Sequence, residues 1–176
     1  MKSKSGAPDK LIPWLFDEGS LTRRLQTRCI GPFSVILLHQ QWGMPMHNER
    51  LVLGMAERTT GLIRHVMLKC GNTPCVFART VVPARTLQGR QRRLSQLGER
   101  PLGAMLFADK RVTRGGLQIA MLDKKHGLFK IATETLARTP REIWGRRSVF
   151  YFGEKPLLVN EIFLPGINNK CTPIGR

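Results

Sequence analysis

Residues 141–165 read REIWGRRSVFYFGEKPLLVNEIFLP, and the pattern is that of a β-hairpin. Ser148 to Phe152 is short, aromatic and β-branched, Gly153-Glu154-Lys155-Pro156 has turn chemistry, and Leu157 to Leu164 is a second apolar run of strand length. Side chains on a strand alternate between faces, so Leu157, Val159, Glu161 and Phe163 share one face and Leu158, Asn160, Ile162 and Leu164 the other. Glu161 therefore points where apolar groups point. A carboxylate in such a row is protonated, meets a positive or hydrogen-bonding partner, or reaches solvent where the strand twists at an edge, because a lone buried charge costs several kcal/mol.

The second hairpin spans Gly61 to Val82, with Gly71-Asn72-Thr73-Pro74 as its turn. Leu62, Arg64, Val66 and Leu68 share a face of its first strand, and Cys75, Phe77, Arg79 and Val81 share a face of its second. Each row carries an arginine among apolar residues, the partner type that Glu161 lacks. Two arginines and one glutamate on inner faces form either a structural ion-pair network or a polar-tipped pocket, since the guanidinium fork fits a carboxylate bidentately.

Around these hairpins the signals are mostly helical. Pro13 to Phe16 suits a short turn of helix, and Ser20 is a suitable N-cap for a helix from Leu21 to about Cys29, whose first-turn N–H groups suit an anion. Phe33 to Leu38 reads as a strand and His39 to Asn48 as a Gly/Pro-punctuated loop. Leu87, Leu94 and Leu97 predict a helix stopped by Gly98, and Pro101 opens another over Leu102 to Phe107. Val112 to Leu122 reads as a strand with a loose entry, Leu128 to Arg138 as a last helix, and Gly166 to Arg176 as a polar tail. Together these argue for an antiparallel α+β domain.

A chain of 176 residues suits a single domain over residues 1–176, with residues 1–11 as a flexible N-terminus. Hydrophobic residues at 41% and charged residues at 23% are ordinary for a soluble protein, and no apolar run approaches the roughly 18 residues of a membrane span. Pro8, Asp9 and Lys10 interrupt the opening before an h-region forms, so no signal peptide and a cytoplasmic location are expected. Cys29, Cys70, Cys75 and Cys171 lack the density of a disulfide scaffold and the spacing of a zinc site, although Cys70 and Cys75 flank one turn. The net charge of +17 points to an anionic partner. The basic residues are scattered and lack an aromatic-basic RNA motif, so a nucleic-acid partner is not expected, nor is a second subunit.

Several motifs in order resemble one family. They are Trp14-Leu15 with Gly19-Ser20-Leu21-Thr22-Arg23-Arg24, Ala78-Arg79-Thr80-Val81-Val82-Pro83, Leu97-Gly98-Glu99-Arg100-Pro101-Leu102-Gly103, Trp144-Gly145-Arg146-Arg147-Ser148, and Lys155-Pro156-Leu157-Leu158 leading to Glu161-Ile162-Phe163-Leu164-Pro165. Over about residues 12 to 165 this is similar to chorismate pyruvate-lyase. The resemblance implies conversion of chorismate to 4-hydroxybenzoate and pyruvate, the first committed step of ubiquinone synthesis, without metal or organic cofactor. It implies a single antiparallel sheet of about six strands with helices packed on one face and helical flaps over a buried ligand.

Carried over by position, Arg64 matches the arginine that holds the ring carboxylate, and Glu161 the carboxylate that meets the ring hydroxyl. Leu21 and Leu102 match main-chain contacts to the ring carboxylate, Leu21 standing where Met is common. Arg79 matches an internal arginine placed to help with the pyruvyl half, beside Ala78 where Gly is familiar. An apolar row raises the pKa of Glu161 and a nearby arginine lowers it, so its role as carboxylate or acid stays open. Two other readings remain: a non-catalytic effector-type module of the same fold that binds aromatic acids, and a basic nucleic-acid-binding protein.

Overall fold

Both hairpins form, and they lie side by side in one antiparallel sheet. A computed structural model describes residues 6–171. In chain order the elements are α1 (Ile12–Leu15), α2 (Leu21–Arg28), β1 (Phe33–Gly43), α3 (His47–Val52), β2 (Gly61–Cys70), β3 (Thr73–Pro83), α4 (Leu102–Ala108), β4 (Val112–Arg114), β5 (Gln118–Asp123), α5 (Gly127–Thr133), β6 (Glu142–Phe152), β7 (Lys155–Phe163) and α6 (Gly166–Lys170). The sheet runs β1-β2-β3-β7-β6-β4, and β5 pairs with the other half of the outer edge of β6, which makes seven strands.

Hairpin β6–β7 turns at Gly153, whose left-handed φ of 61° a residue with a Cβ rarely adopts. Its ladder then runs without a bulge from Phe152↔Lys155 to Trp144↔Phe163. Hairpin β2–β3 turns at Gly71, with φ 56°, but its register slips by one residue between Leu68 and Lys69. Lys69 pairs with Pro74 and Leu68 with Val76, leaving Cys75 as the extra residue of a bulge. Pro74 has no N–H to give to a ladder, and a bulge is one of the few places in a sheet that tolerates it.

One face of the sheet packs against α1, α2 and α4. Leu15, Leu25, Val66, Leu68, Val76 and Phe163 form one cluster there, and Leu94, Leu102, Leu106, Phe150 and Leu157 a second. Burying side chains of this size contributes about 1.5–3 kcal/mol each. The other face is covered by α5 through Phe129 and Ala132, which pack with Met67, Phe77 and Ile162, and by the end of α3 through Leu53.

Several local expectations are corrected. The region from His39 to Gly43 continues β1, because ladder bonds to Gly61–His65 hold it extended beyond the irregularity between Leu37 and His39. The basic run after Leu87 is 3-10 helical over Gly89–Gln96, with Leu94 buried. Val112 to Leu122 is two strands, split at Gly115 and Gly116. The last predicted helix is α5 and stops at Thr133. The expected polar tail begins with α6, whose Ile167 is 1% exposed. Gly166 lets α6 dock, since a Cβ there would strike the Pro74 carbonyl oxygen. Leu11, at the end of the stretch expected to be flexible, is buried. Residues 172–176 lie outside the described residues.

Candidate active site

Between the sheet and the starts of α2 and α4 lies a small cavity of about 50 Å³, lined among others by Leu21, Arg64, Thr80, Leu102, Val159 and Glu161. By the usual volume of a buried water it holds only a few water molecules. The apolar alternation of β2, β3 and β7 makes its floor, and Leu106, Phe107 and Phe150 close its side. Phe107 stands edge-on to Phe150 at 6.0 Å.

Two helix starts converge on the cavity. Ser20 caps α2 by accepting a hydrogen bond from Arg23 N at 3.3 Å. Pro101 precedes α4 and offers no side-chain cap. The first N–H groups of each helix have no acceptor within the helix, so Leu21 and Leu102 bring backbone donors and the positive helix ends to the cavity rim. The starts approach closely because residue 103 is glycine: a Cβ there would sit 3.2 Å from Thr22 Oγ1 and 3.4 Å from Ser20 Oγ.

Arg64 rises from the floor, 3% exposed. Its Nη2 donates to the Gly98 and Arg100 carbonyls at 2.8 and 3.0 Å, which fixes the loop leading into α4. Its Nε is buried without a partner. Burial pushes the guanidinium pKa down to about 10, so at neutral pH it is a cation short of an anion.

Glu161 also lines the cavity, and its partner is Arg146, which sequence reasoning missed as a site residue. Arg146 Nε donates to Glu161 Oε2 at 2.5 Å. Its Nη1 donates to the carbonyls of Trp14 at 2.8 Å and Asp17 at 2.5 Å, tying α1 and the approach to α2 onto the sheet. Alternation along β6 puts Trp144, Arg146, Ser148 and Phe150 on one face, and a two-residue turn at Gly153-Glu154 sets Arg146 directly opposite Glu161. That signal was present in the sequence. Starting the strand at Ser148 hid it. Arg114 stands alongside, with Nε donating to Ser148 Oγ at 3.0 Å and Nη1 to the Glu18 carbonyl at 2.7 Å.

Arg79 is not in this cavity, which corrects its expected place beside Arg64 and Glu161. With the bulge at Cys75, Arg64 pairs with Thr80 and Glu161 with Ala78, so Thr80 and Ala78 face the cavity and Arg79 faces the opposite side. There it makes two hydrogen bonds of 2.8 Å to Glu49 of α3. Glu49, 1% exposed, also accepts from Asn160 Nδ2 at 3.1 Å and from Met46 N at 2.9 Å. Arg79 Nη1 approaches His65 Nε2 to 2.6 Å. Burial first, then the charge of Arg79 and then His39, hold the His65 pKa down at about 4, so the ring is neutral and accepts from Arg79. A larger cleft of about 460 Å³ opens beside this group, lined by Glu49, Asn160, Gln118, His126 and Arg147 among others.

A family model for chorismate lyase matches residues 4–172. A probable chorismate pyruvate-lyase from Methylococcus capsulatus is 40% identical over 154 residues, covering 88% of this chain and 94% of that protein. Another from Aromatoleum aromaticum is 41% identical over 162 residues, covering 91% and 87%. Among solved structures, the C-terminal domain of the histidine utilization repressor from Pseudomonas syringae aligns with a TM-score of 0.60 at 11% identity, covering 82% of this chain and 98% of that one. The ligand-binding domain of a putative GntR-family regulator from Bordetella bronchiseptica gives 0.55 at 12%, covering 83% and 91%. At these identities the structural likeness is one of fold, whereas the sequence matches run nearly end to end, and the chain belongs to the chorismate lyase family.

Proposed function

We propose that this protein converts chorismate to 4-hydroxybenzoate and pyruvate, the entry step of ubiquinone synthesis. The observation that carries this reading is Arg64: a buried cation with an unpartnered Nε, standing beneath two helix starts in a cavity that Glu161, paired with Arg146, also lines. The carboxylate on the ring of the substrate is the anion such a group lacks, and the backbone N–H groups of Leu21 and Leu102 complete its cradle.

In the reaction the C–O bond to the enolpyruvyl group breaks, a ring proton is lost, and the ring becomes aromatic; the released enol tautomerises to pyruvate. Aromatisation drives the step, so positioning and charge placement suffice and no nucleophile is required. In this reading Glu161, fixed by Arg146, meets the ring hydroxyl. Arg146 acts through Glu161 and is a positioning residue. Exclusion of water strengthens each polar contact. Arg79, across the sheet, is given no part in the chemistry.

Purified protein incubated with chorismate, with chelator present and no cofactor added, is expected to release 4-hydroxybenzoate and pyruvate in equal amounts, read by chromatography. A protein that binds 4-hydroxybenzoate yet leaves chorismate intact at high protein concentration is an aromatic-acid-binding module instead, and that result overturns the lyase reading.

A further inference from the structure

The four cysteines come from three distant parts of the chain, yet they gather in one hydrophobic cluster. Cys29 follows α2, Cys70 ends β2, Cys75 is the bulge residue of β3, and Cys171 follows α6. Cys29 and Cys70 are joined as a disulfide. The Cys171 sulfur lies 3.6 Å from that of Cys70, and the sulfurs of Cys29, Cys70 and Cys171 all lie within 4.8 Å of one another. The Cys75 thiol donates to the Thr73 carbonyl at 3.5 Å. The backbones of Cys29 and Cys171 are themselves bridged. Cys70, Cys75 and Cys171 are buried and Cys29 is half-buried. We propose that this corner is an intramolecular thiol–disulfide exchange site, in which Cys171 displaces Cys29 from Cys70.

The step balances without an external oxidant or reductant. Cys171 gives its proton to water and its Sγ attacks Cys70 Sγ. The Cys70–Cys171 bond forms, the Cys29–Cys70 bond breaks, and Cys29 leaves as a thiolate that takes up a proton from water. The neighbouring Cys75 first, then burial, push the Cys171 thiol up, so exchange quickens as pH rises. Cys29 is the best-placed leaving group: it is the least buried of the four and adjoins Ile30, which is 56% exposed.

The two pairings tie down different elements. A Cys29–Cys70 bond fastens the end of α2 to the sheet, whereas Cys70–Cys171 fastens the end of α6 and frees α2. On the lyase reading, α2 covers the substrate cavity, so the pairing of the sulfurs sets how freely that cover lifts.

The test needs no activity, so its failure is separable from failure of the lyase reading. The full-length chain, purified without reductant and held at about pH 8 to favour thiolates, is quenched with acid, alkylated and digested with trypsin. Cleavage releases peptides 29–50, 70–79 and 171–176, which separate the cysteines except that Cys70 and Cys75 share one peptide. Fragmentation assigns the linked sulfur within 70–79. Both a 29–50/70–79 and a 70–79/171–176 pair, each linked through Cys70, are expected. Cys29→Ser should give the second pair alone after oxidation with glutathione disulfide, and exchange in the unaltered chain should be faster at about pH 9 than at about pH 7. Linkage of 29–50 to 70–79 alone at all times, with Cys70 and Cys171 unpaired in Cys29→Ser, overturns the proposal. So does a Cys171 bond to Cys75, or a chain that holds all four thiols reduced around a bound metal ion.

Discussion

The two faces of the sheet each bury an arginine from the β2–β3 hairpin, and each carries a carboxylate, yet they do opposite things with them. On the α3 side, Arg79 and Glu49 meet through two bonds, and Asn160, Met46 N and His65 take up further hydrogen-bonding positions. On the cavity side, Arg64 spends Nη2 on two carbonyls and leaves Nε unpartnered, and Glu161 is held by Arg146 instead. A satisfied ion pair is an element of structure; on the proposed reading, the cation left short inside the cavity is the group that takes the substrate's carboxylate.

The contrast breaks most sharply under Glu49→Ala. Removing that carboxylate strands the buried Arg79 and should cost about 3–5 kcal/mol, lowering Tm by roughly 10 °C in a chain of this length. Affinity for 4-hydroxybenzoate in the folded fraction should stay within about twofold, because the lost contacts lie across the sheet from the cavity. A stable Glu49→Ala protein that has lost affinity would invert the two assignments.

Arg64→Ala should do the reverse. Loss of charge-assisted bonds to the ring carboxylate should weaken 4-hydroxybenzoate binding about tenfold to a hundredfold, with a smaller fall in Tm than Glu49→Ala. Glu161→Gln keeps the shape and an accepting oxygen, so it should weaken binding less than Arg64→Ala while lowering kcat. Titration calorimetry alongside steady-state kinetics reads both. Equal losses of Tm and unchanged affinity in the two variants would make this face structural as well.

The smallest effect concerns pH. His65 has a folded pKa of about 4 against an ordinary 6.5, so between those values the unfolded chain binds a proton that the native one refuses. Stability should therefore be flat above about pH 7 and fall as pH drops from about 6.5 toward 4. After discounting for partial solvent exposure the effect is on the order of 1 kcal/mol. His65→Gln should flatten that limb of a Tm-against-pH curve, and an unchanged slope would remove His65 from the network.

Much of this was legible in the sequence because period-two alternation is local. Leu62-Arg64-Val66-Leu68 and Leu157-Val159-Glu161-Phe163 put Arg64 and Glu161 on apolar faces before any fold was known, and Ser20 and Pro101 marked the helix starts above them. The face of Arg79 was not legible. Counted straight from the turn where Cys70 pairs with Thr73, Arg64 would oppose Arg79; the bulge at Cys75 moves the pairing to Thr80 and turns Arg79 to the other side. Pro74 hints that the ladder is interrupted there, but not in which strand the extra residue falls. Glu49 was out of reach for another reason: it lies just past the loop read over His39 to Asn48, in a stretch given no element, and only tertiary contact with Arg79 makes it a buried carboxylate.

Strand β1 gives the unexplained charge a use. It forms one border of the sheet for eleven residues, and its sequence FSVILLHQQWG holds no Lys, Arg, Asp, Glu or Pro, the residues that ordinarily keep such a border from adding a foreign strand. Leu38 and Trp42 on it are exposed. A net charge of +17 on every copy supplies at long range what the strand lacks locally, a mutual repulsion that holds molecules apart in dilute electrolyte. Its reach shrinks to about 3 Å in molar salt, so the colloidal behaviour of this protein should worsen as salt is added, opposite to the habit of proteins that precipitate near neutrality.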